Sequence, residues 1–341
     1  GVAIIVFLIF QVLPGDPVRM MMGQRSDIAS REAVIKEYGL DKSLPVQLVH
    51  YLNDLSPISI HKQTDDNQKK YEYTSILSIG ENNIVLKSPY LRRSFQSNRA
   101  VTEMIYDSLE GTLWLAITAI VFATILGIII GVIAALKQNT WIDHFLISGS
   151  VIGISAPSFV AGTLIAFVFA WLLHDYTHLD LTGSLYEYDP FTGKRMVIKN
   201  LILPALTLGI RPLAIIVQLT RSSMLDVLGQ DYIRTARAKG LSEWKVIRKH
   251  ALKNALNPVI TAISGWFASL MAGAFFIEYI FGWKGLGSVT VNAVFTLDFP
   301  VVMGGTMFVG LLFVFISIIV DILYAIIDPR IRLSLYYRFT K

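Results

Sequence analysis

Four stretches of this chain hold no charged side chain at all: 111–136, 145–173, 259–277 and 301–320. At about 1.5 Å per residue, each is long enough for a helix to cross roughly 30 Å of hydrocarbon. A fifth stretch, 201–220, carries a single charge, Arg211. Inside hydrocarbon a backbone must satisfy its own hydrogen bonds, so such runs fold as helices. The opening run 1–13 is equally apolar but covers only ~20 Å. It lacks the basic leader and small-residue cleavage site of a signal peptide and reads as the second half of a span that starts upstream. The expected fold is therefore all-α and polytopic, with six membrane helices and the first truncated at its start. Charged residues make up only 16% of the 341, against ~25% in an ordinary soluble domain. That excludes a disordered or plain cytosolic chain. Cysteine is absent, which excludes disulfides and thiolate chemistry.

Basic residues in short loops set orientation, because they stay on the cytoplasmic side. One set holds Lys137, the eight Lys and Arg from Arg221 to Lys253, and Arg330, Arg332, Arg338 and Lys341. The opposite set holds only Lys194, Arg195, Lys199 and Lys284. The larger set is assigned to the cytoplasm, which puts both termini there. The net charge of +5 follows from this sorting and does not indicate nucleic acid. The chain then divides into a partial span 1–13, an external segment 14–106, a membrane core 107–327 with a cytoplasmic loop 222–257, and a cytoplasmic tail 328–341. Within the external segment, 30–55 suits a helix with a break near Gly39 and Pro45. Residues 56–90 change character: they are polar at first, and the runs TSILSI and NNIVLK that flank Gly80 predict a hairpin.

Candidate functional residues fall in two places. In the cytoplasmic loop, 231–239 suits a helix, Gly240 a turn, and a second, basic amphipathic helix runs from Ser242 to Pro258. That helix has Trp244, Ile247 and Ala251 on its apolar side. A basic amphipathic helix can lie on lipid headgroups or dock into a partner's groove. Within the spans, Arg211 sits near the midplane, where a charge is costly and points to a pathway or a partner. Pro212 follows it. A guanidinium there could hold a peptide carboxylate or pair with an acid. Pro157 and Ser158 in the third span and Glu278 near the external end of the fifth are further pathway candidates, although a satisfied interfacial carboxylate is the plainer reading of Glu278. Asp321 suits an interhelical or partner-subunit bond. The pairs Gly127/Gly131 and Gly149/Gly153 permit close helix approach. His174 and His178 have metal-ligand spacing but lack further ligands beyond Asp175, so no metal site is expected. No G-x-S-x-G elbow is present. The phosphate-cradling pattern G-x-x-x-x-G-K-[ST] is also missing, so any ATP would be hydrolysed elsewhere.

The loop from Asp231 to Val259 resembles the one with which permease subunits of binding-protein-dependent ABC importers contact their ATPase. Its Arg234-Thr235-Ala236-Arg237-Ala238-Lys239-Gly240 is similar to the form in the dipeptide/oligopeptide branch. Other segments resemble that branch in the same order. They are Leu13-Pro14-Gly15-Asp16-Pro17, Gly39-Leu40-Asp41 with Leu44-Pro45, Ser155-Ala156-Pro157-Ser158-Phe159, and Leu203-Pro204-Ala205-Leu206-Thr207-Leu208-Gly209. Ile280-Phe281-Gly282-Trp283-Lys284-Gly285-Leu286-Gly287, Asp298-Phe299-Pro300-Val301-Val302 and Asp328-Pro329-Arg330-Ile331-Arg332 complete the set. The insertion 56–90 has no counterpart.

The resemblance implies the type I ABC importer permease fold in a bacterial inner membrane, with a large external insertion between helices 1 and 2. It implies ATPase coupling through Asp231, Arg234, Thr235, Ala236, Arg237, Lys239, Gly240, Leu241, Trp244 and His250. The implied partners are a second homologous permease, two cytoplasmic ATPases holding ATP and Mg, an external solute-binding protein and a peptide substrate. No cofactor is expected in this chain. Nickel, glutathione and haem are alternative cargoes within the family. A stand-alone channel or ion-driven transporter would call for several deep acidic or histidine groups, and an intramembrane enzyme for clustered catalytic groups. The spans show neither.

Overall fold

The computed structural model describes residues 1–12, 35, 39, 41–191 and 193–327. The Leu13–Pro17 motif, most of the helix expected over 30–43 and the tail with Asp328–Arg332 lie outside the described residues, as does the side chain of Asp321. The chain runs through α1 (Val2–Val12), α2 (Leu44–Leu55), β1 (Ile58–Lys62), α3 (Asp65–Tyr71), β2 (Thr74–Ile79) and β3 (Asn82–Leu86). It continues through α4 (Val101–Leu136), α5 (Trp141–Ser155), α6 (Ser158–Ala166), β4 (Tyr186–Asp189), β5 (Gly193–Met196) and α7 (Ile202–Leu228). The last elements are α8 (Asp231–Ala238), α9 (Leu252–Gly273), α10 (Phe275–Ile280), α11 (Leu286–Phe295) and α12 (Phe299–Ile327). The architecture is mostly helical, as expected, with two small sheets beside the helices. Two units are distinguished: Gly1–Leu109 with Val289–Gly310, and Glu110–Ser288 with Leu311–Lys341.

In the first unit, α2 carries Pro45 in its first turn, where a missing N–H costs nothing. Its buried Tyr51 packs on Phe7 of α1, with ring centroids 5.5 Å apart. The insertion is more than a hairpin. The expected pair β2–β3 forms, closed by Gly80 at φ +61°, but β1 adds on the other side of β3, giving the order β1-β3-β2. Polarity hides α3 from a periodicity search, because nothing apolar repeats along DDNQKKY. Its ends explain it: Thr64 Oγ1 accepts from the Asn67 N–H, Asp65 and Asp66 sit in the first turn, and Lys69 and Lys70 in the last. Each charge complements the helix dipole.

Behind the sheet, His61 is buried and stacks on Tyr71 at 4.0 Å. Tyr71 donates to Asp54 Oδ1 at 2.9 Å, and the ammonium of Lys87 donates to the Asp54 carbonyl. Burial first, then the nearby Lys87, lowers the His61 pKa below its ordinary value; Asp54 opposes this and Lys70 adds to it. A histidine that resists protonation when folded stabilises the fold above the unfolded pKa of ~6.5, and that contribution falls as pH drops toward the folded value. The protection of the β1 and β3 amides, corrected for intrinsic exchange, is therefore expected to fall between pH 7.5 and 5.5. A His61→Phe chain should lose that dependence.

The second unit is organised around α7, which packs against α5, α6 and α9. Glycines set its distance from α4. A Cβ on Gly127 would lie 2.7 Å from Ile216 Cγ2, and one on Gly131 would lie 2.6 Å from Thr220 Cβ. Gly153 of the other small-residue pair likewise faces Ile210 of α7 at 2.9 Å, whereas Gly149 faces open space. Three described helices are long and apolar enough to cross a membrane: Val101–Leu136, Ile198–Leu228 and Phe299–Val320. A bent pair, Trp141–Ser155 with Ser158–Leu172, counts as a fourth if the two pieces form one span. α9, 22 residues long, would extend ~33 Å.

The third expected span is thus not one rod: it turns by 109° between α5 and α6. Pro157 disfavours helical geometry at the residue before it, and Ala156 is extended at ψ 133°. Pro204 and Pro212, by contrast, lie within one continuous α7. Pro204 falls in the first turn, where its missing N–H has no partner to lose. Pro258 also fails to end its helix, contrary to expectation, and α9 runs through it. Asn254, whose carbonyl loses its donor, is exposed, so no buried acceptor is left unpaired.

Candidate functional site

The elbow between α7 and α9 is built on a buried floor. Ile233 and Ala236 of α8 point into a cluster with Ala135, Met224, Val246, Ile247, Ala251 and Ala255, and Leu241 packs against it. Gly240 reverses the chain at φ +76°, in the left-handed region that glycine enters without penalty. Its N–H donates to the Arg237 carbonyl at 2.9 Å. Arg237 also grips Glu243 across the turn, Nε to Oε1 at 2.8 Å and Nη2 to Oε2 at 3.3 Å. After the turn Glu243–Lys245, residues Val246–Ala251 form a π-helical turn that leads into α9.

This arrangement corrects the expected face of the second helix. Ile247 and Ala251 are buried, but Trp244 is 69% exposed. The π-helical turn shifts the side-chain register by its wider winding. Trp244 instead joins Lys245, Arg248, Lys249, Lys253, Leu252 and Leu256 along an open groove of about 760 Å³. Among the expected coupling residues, Asp231, Arg234, Thr235, Arg237, Lys239 and Gly240 are exposed, and Leu241 and His250 are half-buried. Ala236 is only 6% exposed and belongs to the floor, so it is withdrawn as a contact residue.

Arg211, Ser158 and the Pro157 bend come together. Arg211 and Ser158 line one cavity of about 90 Å³ with Gly153, Thr207, Trp266 and Ser269. Pro157 precedes α6, whose first residue is Ser158. Glu278 lies elsewhere. It is fully buried, and its carboxylate accepts from Thr112 Oγ1 at 2.7 Å and from the Ser288 N–H at 3.0 Å. Thr112 Oγ1 in turn accepts from the Leu286 N–H at 2.8 Å. A carboxylate enclosed in this way ties α4, α10 and α11 together, and it is withdrawn as a pathway candidate. The network explains the glycines around it. A Cβ on Gly285 would meet the Glu278 carboxyl atoms at 2.4 Å, and one on Gly287 would meet Phe275 Cα at 2.5 Å.

Sequence reasoning missed a clamp at the other end of the helices. Asp143 at the start of α5 is buried and takes two bonds of 2.6 Å from Arg221 Nε and Nη2. It also accepts from the Asn139 N–H at 3.0 Å. A bidentate pair 78 residues apart in the chain leaves no local pattern to find. The one signal was an acid entering an otherwise apolar helix. His174 and His178 hold no metal cluster among the described residues.

A family model described as "Binding-protein-dependent transport system inner membrane component" matches residues 127–333, and a model of that component's N-terminal part matches residues 2–116. The chain belongs to this family. The family's "Dipeptide transport system permease protein DppB" of Escherichia coli strain K12 is 35% identical to it, over 97% of this chain and 94% of that one. The "Di/tripeptide transport system permease protein DppB" of Pseudomonas aeruginosa strain UCBPP-PA14 matches at 35% over the same shares. The "Glutathione transport system permease protein GsiC" of Salmonella typhimurium strain LT2 matches at 36%, also over 97% and 94%. Among solved structures, an inward-facing form of the MetNI methionine ABC transporter covers 67% of this chain and 97% of its own, with a TM-score of 0.51 and 14% identity. That likeness is one of fold. The chain is a multi-pass membrane permease of the family, with the type I importer permease fold.

Proposed function

We propose that this permease is the membrane-spanning subunit of an ATP-driven importer of dipeptides and short oligopeptides. It works by alternating access in a bacterial inner membrane, with both termini in the cytoplasm. The observation that carries the reading is the 35% identity to a dipeptide permease across nearly the whole chain. The elbow supports it: a rigid apolar floor under an exposed rim of Asp231, Arg234, Arg237, Lys239 and Trp244 suits docking in a groove of a cytoplasmic ATPase. A second homologous permease and an external binding protein complete the assembly. ATP and Mg belong to the ATPases, and this chain transmits their closure without hydrolysing nucleotide. Affinity for cargo resides in the binding protein, so the pore needs only weak, successive contacts.

The test is uptake by proteoliposomes that contain both permeases, both ATPases and the binding protein. ATP-dependent accumulation of labelled alanyl-alanine is expected, and competition by excess unlabelled dipeptide should abolish it. Accumulation of glutathione with no uptake of dipeptide would replace the cargo with the one named for the Salmonella relative.

A further inference from the structure

Arg211 stands out in the second unit. The cavity it shares with Ser158 and Ser269 has no acidic residue among its lining, and Arg211 is the one charged member. Among the described residues the guanidinium has no hydrogen-bond or ion-pair partner, and neither hydroxyl has a hydrogen-bond partner. The membrane alternative to pairing is costly, since an arginine at the centre of a span costs roughly 2.5–3.5 kcal/mol by insertion scales. Arg211 is exposed next to Pro212. Five N–H donors thus face an opening with nothing to receive them.

The surroundings favour an anion. The cavity is also lined by Ala156 and Ser158, on either side of the 109° bend. The first N–H groups of α6 have no partner within their own helix, and broken membrane helices commonly turn such ends toward anionic substrate groups. This adds to the arginine's field and does not replace it. About 90 Å³ is several times the ~10–15 Å³ of such space that one water needs, which is room for a carboxylate group. Trp266 forms part of the same lining.

We propose that Arg211, with Ser158 and Ser269, forms a transient seat for the terminal carboxylate of a peptide passing through the permease. The proposal rests on the peptide-importer reading above and deepens it by naming the group that the pore recognises. Arg211 supplies a planar fork matched to a carboxylate, and the serines donate to whichever oxygen the fork leaves open. Binding here is weak by design of the site, because the seat is small and open and must release its occupant.

Two measurements test it on the assembled importer. In detergent, without the binding protein, alanyl-alanine is titrated while tryptophan fluorescence is followed, and a Trp266→Phe assembly identifies the Trp266 contribution. A saturable Trp266 signal is expected. It should require at least tenfold more of the C-terminal amide, disappear in Arg211→Gln and return in part in Arg211→Lys. In proteoliposomes, Arg211→Gln is expected to cut ATP-driven dipeptide uptake at least tenfold while ATP hydrolysis stimulated by the binding protein persists. Equal responses to acid and amide, or an Arg211→Gln assembly that binds and transports like the parent, would overturn the seat. So would dissociation of the second permease from Arg211→Gln with the Trp266 signal retained, which would make Arg211 a subunit ion pair. The fluorescence measurement does not depend on transport. A carboxylate- and Arg211-dependent signal in an importer that moves no peptide would refute the cargo reading and leave the seat standing.

Discussion

An importer carrying Gly240→Pro is expected to insert and to assemble its permeases, yet to take up peptide at less than a tenth of the parent rate. Two physical changes act together. Proline fixes φ near −65°, whereas Gly240 sits at +76°. Proline also removes the N–H that Gly240 donates to the Arg237 carbonyl. Steric crowding plays no part, since a Cβ at this position would meet nothing within 4 Å. Side chains can therefore be ranked by backbone preference alone. Asparagine visits the left-handed region readily and should keep most uptake; valine, which almost never does, should lose most of it. The apolar floor beneath the turn is untouched by any of these changes. The defect should appear as weakened capture of the ATPase by the purified permease pair, with thermal stability nearly unchanged. Normal uptake by Gly240→Pro with intact assembly would remove the elbow from the coupling path.

The second large effect is structural. Glu278→Ala removes the acceptor for the Thr112 hydroxyl and the Ser288 N–H. Each buried donor left unpaired costs about 1–3 kcal/mol. Gly285→Ala drives a methyl into the same carboxylate, 2.4 Å from its atoms. Both single variants are expected to lower the thermal midpoint sharply. The double variant is more informative, because removing the carboxylate makes space for the new methyl. Its loss should be no greater than that of Glu278→Ala alone, a coupling typical of residues in direct contact. Additive losses would mean that the two positions act separately and that the glycine is kept for another reason.

The long apolar runs were legible because a membrane imposes a uniform demand on every residue within it. The glycine pair at 127 and 131 was legible for the same reason, since helices in hydrocarbon meet through small residues. Other features were hidden by physics that acts between distant or locally polar positions. The break at Pro157 and the continuity through Pro212 and Pro258 use the same residue type, and sequence alone does not separate them. The helix over Asp65–Tyr71 is set by its cap and terminal charges, and β1 by a pairing with β3 that crosses it. At the candidate site, the turn at Gly240 between two helices was readable from the residues, and the coupling set around it only from the family resemblance. The outward turn of Trp244 was not readable, because the π-helical turn between it and the buried Ala251 alters the register. Glu278 read most plainly as a satisfied interfacial carboxylate, but its partners could not be named, because Thr112 and Ser288 stand far from it or outside the span.

In the proposed importer this permease is moved by nucleotide chemistry performed in other subunits. The most direct measurement compares peptide uptake by liposomes holding the permease pair alone with uptake by liposomes to which the ATPases, the binding protein and ATP have been added. Accumulation against a gradient is expected only in the complete mixture, and none when the ATPases carry a nucleotide-site substitution that blocks hydrolysis. Equal accumulation by this chain with no ATPase present would contradict that expectation.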